Sequence, residues 1–105
     1  MNTFESGRVR ILVYRDVAEG IWYATALELN LTIDADDKST ALLELDRGIA
    51  EYIRSAREIG DVRLLNQEPD PELLTLWEAK IAGTDTSITS PYTPYLAATE
   101  SLEYA

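Results

Sequence analysis

Four acidic residues in the first half of the chain lie close enough in sequence to suggest a metal site. They are Asp34, Asp36, Asp37 and Glu44. Carboxylate oxygens are ligands that Mg²⁺ prefers, so such a group could support magnesium-dependent cleavage of a nucleic acid. A structural interpretation competes with this one, because Asp34 and Asp36 belong to the polar face of a predicted strand and Asp37 suits a helix N-cap. We expect the four side chains not to converge, which favours the structural interpretation.

Histidine and cysteine are both absent from the 105 residues. Their absence removes the commonest general base, the thiol nucleophile and the thiolate ligands of zinc. The sequence therefore predicts a protein that is not an enzyme and that holds no metal or cofactor. Chains without disulfides are typical of reducing compartments, and residues 1–6 do not resemble a signal peptide, so we expect a cytoplasmic protein. The longest apolar runs, such as residues 11–14, predict no membrane span, which needs about 20 residues.

The charge of the chain restricts its partners. Nine basic and nineteen acidic residues give a net charge of −10 at pH 7. This field opposes direct binding to nucleic acid and favours a basic protein partner. Arg8, Arg10 and Arg15 form a basic stripe along the first predicted strand, but ion pairing with acidic neighbours on the next strand explains them better than contact with RNA.

Alternation of apolar and polar residues predicts three strands near the N-terminus, over residues 8–15, 21–26 and 31–35. Three consecutive strands with short connections indicate an antiparallel meander. A fourth, short strand is predicted over residues 62–65. The fold class is therefore α+β, with helices following the meander.

The hydrophobic period then changes to that of a helix. Residues at spacings of three and four predict one long amphipathic helix between Asp37 and Gly60. Gly48 inside this helix is expected to pack closely against the sheet. The apolar face comprises Ala41, Leu42, Leu45, Ile49, Tyr52, Ile53 and Ala56.

The C-terminal part differs in composition, because residues 66–105 contain seven acidic residues, one basic residue and all four prolines. A second helix is predicted over about residues 70–82, with Asp70 as its cap and an apolar side of Leu73, Leu74, Trp77 and Ile81. The rest is expected to be an irregular tail. We therefore interpret residues 1–65 as one domain and residues 66–105 as a helix and tail rather than a second domain.

Aromatic residues are the candidates for contact with a partner or with another copy of the chain. Trp22 and Tyr23 are adjacent on a strand, so they point to opposite faces of the sheet, and each face needs a cover. Trp77 on the second helix is one possible cover, and a second subunit is another. Tyr92, Tyr95 and Tyr104 in the tail suit anchoring contacts. We expect a homodimer or higher homo-oligomer, with residues 70–95 contributing to the contact.

The middle of the chain resembles a known family. Residues 20–31, followed by Asp36-Asp37 and by Ala41-Leu42 at the start of a long helix, are similar to the HicB-like antitoxin domain. The resemblance covers residues 8–65 and implies a β-β-β-α-β arrangement, a partial ribonuclease H-like fold. Many members carry a DNA-binding module behind this domain, which the acidic residues 66–105 do not resemble, so a stand-alone form that makes no direct contact with nucleic acid is expected.

Three functions remain in competition. The resemblance implies a non-enzymatic antitoxin that neutralises a small basic, RNA-cleaving toxin of the HicA kind. An alternative is a stand-alone homo-oligomeric binding or scaffold protein of the same fold with no toxin partner. The third is a magnesium-dependent nuclease that relies on the carboxylates described above.

Overall fold

The computed structural model describes residues 1–83 and 90–103, which form an α+β fold with one four-stranded antiparallel sheet. The strands are β1 (Ser6–Asp16), β2 (Ile21–Ala26), β3 (Leu31–Ala35) and β4 (Tyr92–Glu103), and the helices are α1 (Lys38–Ile59) and α2 (Pro71–Ala82). Two short 3₁₀ turns, Leu27–Leu29 and Val62–Leu65, connect these elements. The three-strand meander, the long helix and the second helix are thereby confirmed.

The sheet has the order β3-β2-β1-β4, so β1 lies between β2 and β4. Along β1, Leu12 pairs with Thr25 of β2 on one side and with Ala97 of β4 on the other. The register between β1 and β4 shifts at one point, between Val13 and Tyr14. β3 and β4 are the two edges of the sheet.

The prediction for the fourth strand was wrong in position. Residues 62–65 form a 3₁₀ turn because Asp61 caps it, accepting a hydrogen bond from the backbone N–H of Arg63 at 3.0 Å. The fourth strand comes instead from residues 92–103, which were expected to belong to an irregular tail. Since β4 pairs with β1 along its length, this part of the C-terminal segment is integral to the sheet. The predicted anchor Tyr104 lies outside the described residues.

Helix α1 begins where the sequence predicts. The Asp37 side chain accepts hydrogen bonds from the backbone N–H of Thr40 at 2.8 Å and from the Thr40 hydroxyl at 2.9 Å. The helix packs across β2 and β3. Close packing at Gly48 is confirmed, because a Cβ there would lie 3.3 Å from Cδ2 of Leu31. The buried residues of α1 are Ala41, Leu45, Ile49, Ile53 and Ala56, as predicted, with Leu42 and Tyr52 partly buried beside them.

Helix α2 lies on the opposite face of the sheet, across β4 and β1. Asp70 caps it as predicted, accepting from the backbone N–H groups of Glu72 and Leu73. The predicted apolar side was partly wrong, since Leu76 is the buried residue and Ile81 is 60% exposed. The two helices therefore cover diagonally opposite halves of the sheet. Within the part of the chain that the structure describes, neither helix is long and apolar enough to cross a membrane.

Candidate interaction surface

Five of the six aromatic residues predicted as contacts lie within the described part of the chain, and they separate into two groups on opposite faces of the sheet. Tyr23, Trp77 and Tyr92 lie on the face covered by α2, whereas Trp22 and Tyr95 lie on the face covered by α1. The opposite orientation of Trp22 and Tyr23 follows from the alternation of side chains along β2. The structure therefore does not bring the five residues together into one surface.

The first group packs within the protomer. Tyr23 stacks on Tyr14 with ring centroids 5.1 Å apart, and Tyr92 meets the edge of the Tyr14 ring at 5.2 Å. Together with Leu12 and Leu76 these residues form the smaller of the two hydrophobic clusters found among the described residues. Burial raises the pKa of the Tyr14 hydroxyl, although a hydrogen bond with Thr25 opposes the effect. This packing gives Tyr23 and Tyr92 a role in stability.

Trp77 packs against the same cluster, under the guanidinium of Arg10, which lies 5.5 Å from its ring centroid. Arg10 is held by Glu28, with 2.7 Å between Nε and Oε2. An acidic neighbour for Arg10 was predicted, although Glu28 belongs to the 3₁₀ turn after β2 rather than to the strand. The indole Nε1 of Trp77 is buried without a hydrogen-bond partner among the described residues.

The second group forms a row of aromatic side chains with cationic side chains beside them on the α1 face. Trp22 contacts Tyr95 edge to face, with centroids 4.9 Å apart. Arg15 lies 5.4 Å from the Trp22 ring centroid, and Lys38 lies 4.6 Å from that of Tyr95. Arg15 thus points to the face opposite Arg10, so the predicted basic stripe is divided between the two faces. Tyr95 remains 51% exposed.

Beside Tyr95 lies an apolar surface that α1 does not cover. It is the part of the sheet face carrying α1 that is formed by β4, and we call it the open half-face. Its exposed residues are Tyr95, Leu96, Ala98 and Glu100. The uncovered half on the other side of the sheet differs, since Thr32 and Asp34 of β3 are its exposed residues. A polar half-face is stable in water, whereas an apolar one gains free energy when a partner covers it.

A groove of about 600 Å³ separates the open half-face from α1. Its apolar floor includes Ile49, Ile53 and Leu102, and its rim includes the carboxylates of Asp46 and Glu100. Within residues 1–83 and 90–103, neither carboxylate has an ion pair or a hydrogen bond. Burial raises the pKa of Glu100, and the nearby charge of Asp46 raises it further. The groove therefore combines an apolar floor with two carboxylates that repel each other, and Arg54, Arg57 and Glu58 also line it.

Sequence reasoning missed this surface because it treated residues 92–103 as irregular. Pro94 was a usable signal, since proline within a strand-like segment is typical of an edge strand. Leu96, Ala98 and Leu102 occur at a spacing of two or its multiples, which places them on one face of a strand.

The carboxylates considered for magnesium do not converge on one point. Asp37 is occupied in capping α1, and Asp34 is exposed on β3. No group of three or more acidic residues in the described ranges is arranged to hold a metal ion.

Comparison of the chain with family models, with curated proteins and with solved structures finds no match. The interpretation of the surface therefore depends on its own geometry and charge.

Proposed function

We propose that this chain is a non-enzymatic binding protein of the antitoxin type, which binds and neutralises a small basic protein through the open half-face and its groove. The observation that carries the proposal is that the carboxylates of Asp46 and Glu100, which have no partner among the described residues, lie beside an apolar floor. A lysine or arginine of a partner would relieve their mutual repulsion, while apolar side chains next to it would cover Leu96 and Ala98.

The net charge of −10 supports the same partner chemistry. An acidic chain attracts a basic protein over a distance of about one Debye length and so increases the association rate. A toxin that cleaves RNA needs a basic surface to hold phosphates, so an acidic antitoxin could cover that surface directly. The resemblance of residues 8–65 to HicB-like antitoxins points to this class of partner.

A second candidate function is a stand-alone homo-oligomeric binding or scaffold protein with a HicB-like, partial ribonuclease H-like fold. The long edge strand β4, whose outer side has no partner among the described strands, favours it. The two functions are compatible, because one copy could bind another along β4 and a basic partner on the open half-face.

The test begins with purification of the protein from its native host and identification of any small basic protein that accompanies it. That protein is then expressed separately, and its binding to the purified chain and its cleavage of RNA are measured. We expect a 1:1 ratio of subunits and loss of RNA cleavage when the complex forms.

Charge reversal locates the interface. The double variant Asp46→Lys, Glu100→Lys should weaken binding at least about tenfold, because it replaces both carboxylates of the groove. The matched control is Glu51→Lys, Glu78→Lys, which changes the net charge equally at exposed positions outside the groove. Equal affinities of the two double variants would contradict the proposed surface, and an RNA-cleaving partner that stays active in the complex would contradict the antitoxin function.

A further inference from the structure

The two edges of the sheet differ in length and in charge. β3 has 5 residues and exposes Asp34, whereas β4 has 12 residues, of which Glu100 and Glu103 carry charge and residues 92–99 do not. Short and charged edge strands resist pairing with another chain, whereas long uncharged edges favour it. No described strand pairs with the outer side of β4. β4 is therefore the edge that is suited to intermolecular pairing.

Pro94 limits where a second strand can pair with β4. Proline has no backbone N–H to donate. The register with β1 also shifts here, because Tyr14 lies opposite Pro94 while Val13 lies opposite Leu96. Both features protect the first part of the edge. The part that remains available is residues 95–103, which has Thr99 at its centre.

We propose that two copies of this chain pair along residues 95–103 of β4, antiparallel about a two-fold axis at Thr99. An axis perpendicular to the sheet relates neighbouring antiparallel copies of one strand, and it places residues of the same face opposite each other. Thr99 then lies opposite Thr99 of the second copy, and Leu96 lies opposite its Leu102. Cross-strand pairs of these types stabilise sheets.

The charges on β4 are compatible with this register. Glu100 lies opposite Ala98 of the second copy, so the two Glu100 residues are diagonal neighbours, about 7–8 Å apart, and do not lie directly opposite each other. Thr99 is exposed, so the approach of a second copy is not blocked by a large side chain. Glu103 lies opposite Tyr95 of the second copy, so no acidic residue of the stretch lies directly opposite another.

This pairing would extend the sheet to eight strands and set both α1 helices on the same side. The two open half-faces would then adjoin, forming one apolar surface across both copies. The inference rests on the second candidate function above and specifies its interface; it requires no basic partner and is tested on the purified protein alone. It also differs from the sequence prediction, which assigned the contact to residues 70–95, where α2 and Tyr92 pack within the protomer.

Disulfide trapping tests the register directly, because the chain contains no cysteine of its own. Directly opposite residues of antiparallel strands have Cα atoms about 4.5–5.5 Å apart, which a disulfide can bridge. We expect Thr99→Cys to form a covalent dimer under mild oxidation. Thr93→Cys is the matched control, since its two copies would be roughly 40 Å apart at about 3.4 Å per residue. Equal cross-linking of the two variants would overturn the register.

Light scattering at micromolar concentration tests the association itself. The unchanged protein should have twice the 11.8 kDa mass of one chain. Thr99→Lys should give single chains with an unchanged circular dichroism spectrum, because it places two lysines opposite each other across the axis. Thr93→Lys, at another exposed position of β4, should remain a dimer. A single-chain mass for the unchanged protein, or a dimer that survives Thr99→Lys, would overturn the proposal.

Discussion

Asn2 and Asn66 hydrogen-bond to each other twice across 64 positions of sequence. The backbone N–H of Asn2 donates to Oδ1 of Asn66 at 2.6 Å, and Nδ2 of Asn66 donates to the carbonyl oxygen of Asn2 at 2.9 Å. The Asn2 side chain is itself buried, donating to the carbonyl of Leu65 at 2.8 Å and accepting from the backbone N–H of Arg8 at 2.7 Å. These contacts attach the N-terminus to the segment that follows α1.

The hydrogen bonds of the Asn2 side chain predict that Asn2→Ala strongly lowers the stability of the protein. The change leaves the carbonyl of Leu65 and the N–H of Arg8 without their partners, and each unsatisfied buried group costs about 1–3 kcal/mol. We expect the free energy of unfolding to fall by about 2–3 kcal/mol in urea denaturation. Ser55→Ala, at an exposed position of α1, is the control and should change it by less than about 0.5 kcal/mol. A loss for Asn2→Ala no greater than that of the control would contradict the role assigned to Asn2.

The structural features that could be predicted from the sequence are those with local causes. Asp37 caps α1 through a residue three positions away, and the apolar face of α1 repeats at helical spacing. Both signals are complete within a short window of sequence. The meander is of the same kind, because its strands alternate and their connections are short.

The features that could not be predicted depend on distant partners. β4 is a strand because β1, which lies 76 to 97 residues earlier, presents an edge to it, and its own Pro, Ala and Glu residues have weak strand propensity. Asp46 and Glu100 meet across the groove for the same reason. The error at residues 62–65 was different, since the cap Asp61 is a local signal that was available.

Gly48 gives a prediction about packing between α1 and β3. Alanine has higher helix propensity by about 1 kcal/mol, but its Cβ would lie 3.3 Å from Cδ2 of Leu31, so part of that gain is lost. We expect Gly48→Ala to stabilise the protein by less than about 1 kcal/mol in urea denaturation. Gly48→Val should destabilise it by about 1–3 kcal/mol, since the larger side chain overpacks against Leu31. If Gly48→Val also stabilised the protein, the contact with Leu31 would not limit the size of the side chain at position 48.

Asp37 should make stability depend on pH in the acid range. Hydrogen bonds from the backbone N–H and the hydroxyl of Thr40 lower the pKa of Asp37 below its ordinary value of 3.8. The pKa of Asp37 is lower in the folded state than in the unfolded state. Its stabilisation of the protein is therefore fully present at pH values above the unfolded-state pKa and is lost as the pH falls through the folded-state pKa. Asp37→Asn keeps a capping oxygen but does not titrate. Urea midpoints measured from pH 2 to 7 should therefore fall less steeply with acid for Asp37→Asn than for the unchanged protein, and parallel curves would contradict the assignment.

Glu100 should have the opposite dependence on pH. Partial desolvation and the charge of Asp46 raise its pKa, so the folded state binds this proton more tightly than the unfolded state does. A carboxyl group whose pKa is raised on folding stabilises the protein at pH values below its unfolded-state pKa. This stabilisation is lost as the pH rises through its folded-state pKa. Glu100→Gln should therefore stabilise the protein at pH 7 and have little effect at pH 3. Thermal unfolding at both pH values measures this, with Glu51→Gln on the exposed side of α1 as control; a stabilisation equal at the two pH values would indicate a cause other than charge.

The role of β4 in the sheet predicts that residues 1–65 do not fold alone. Val9, Leu12 and Val13 of β1 are fully buried, and they depend on β4 beside them and on the two helices above and below. A chain ending at residue 65 loses Leu102 from the main core, and it loses Leu76 and Tyr92 from the cluster that covers Leu12. Leu76 alone, if truncated to alanine, should cost about 2–5 kcal/mol, which is a large part of the stability of a small domain.

We therefore expect the chain ending at residue 65 to lack a cooperative thermal transition in circular dichroism, whereas a chain ending at residue 103 retains one. Leu76→Ala in the full chain provides an intermediate case with a lowered midpoint. A cooperative transition in the chain ending at residue 65 would mean that β1, β2, β3 and α1 suffice for folding and that β4 is an addition to a complete domain.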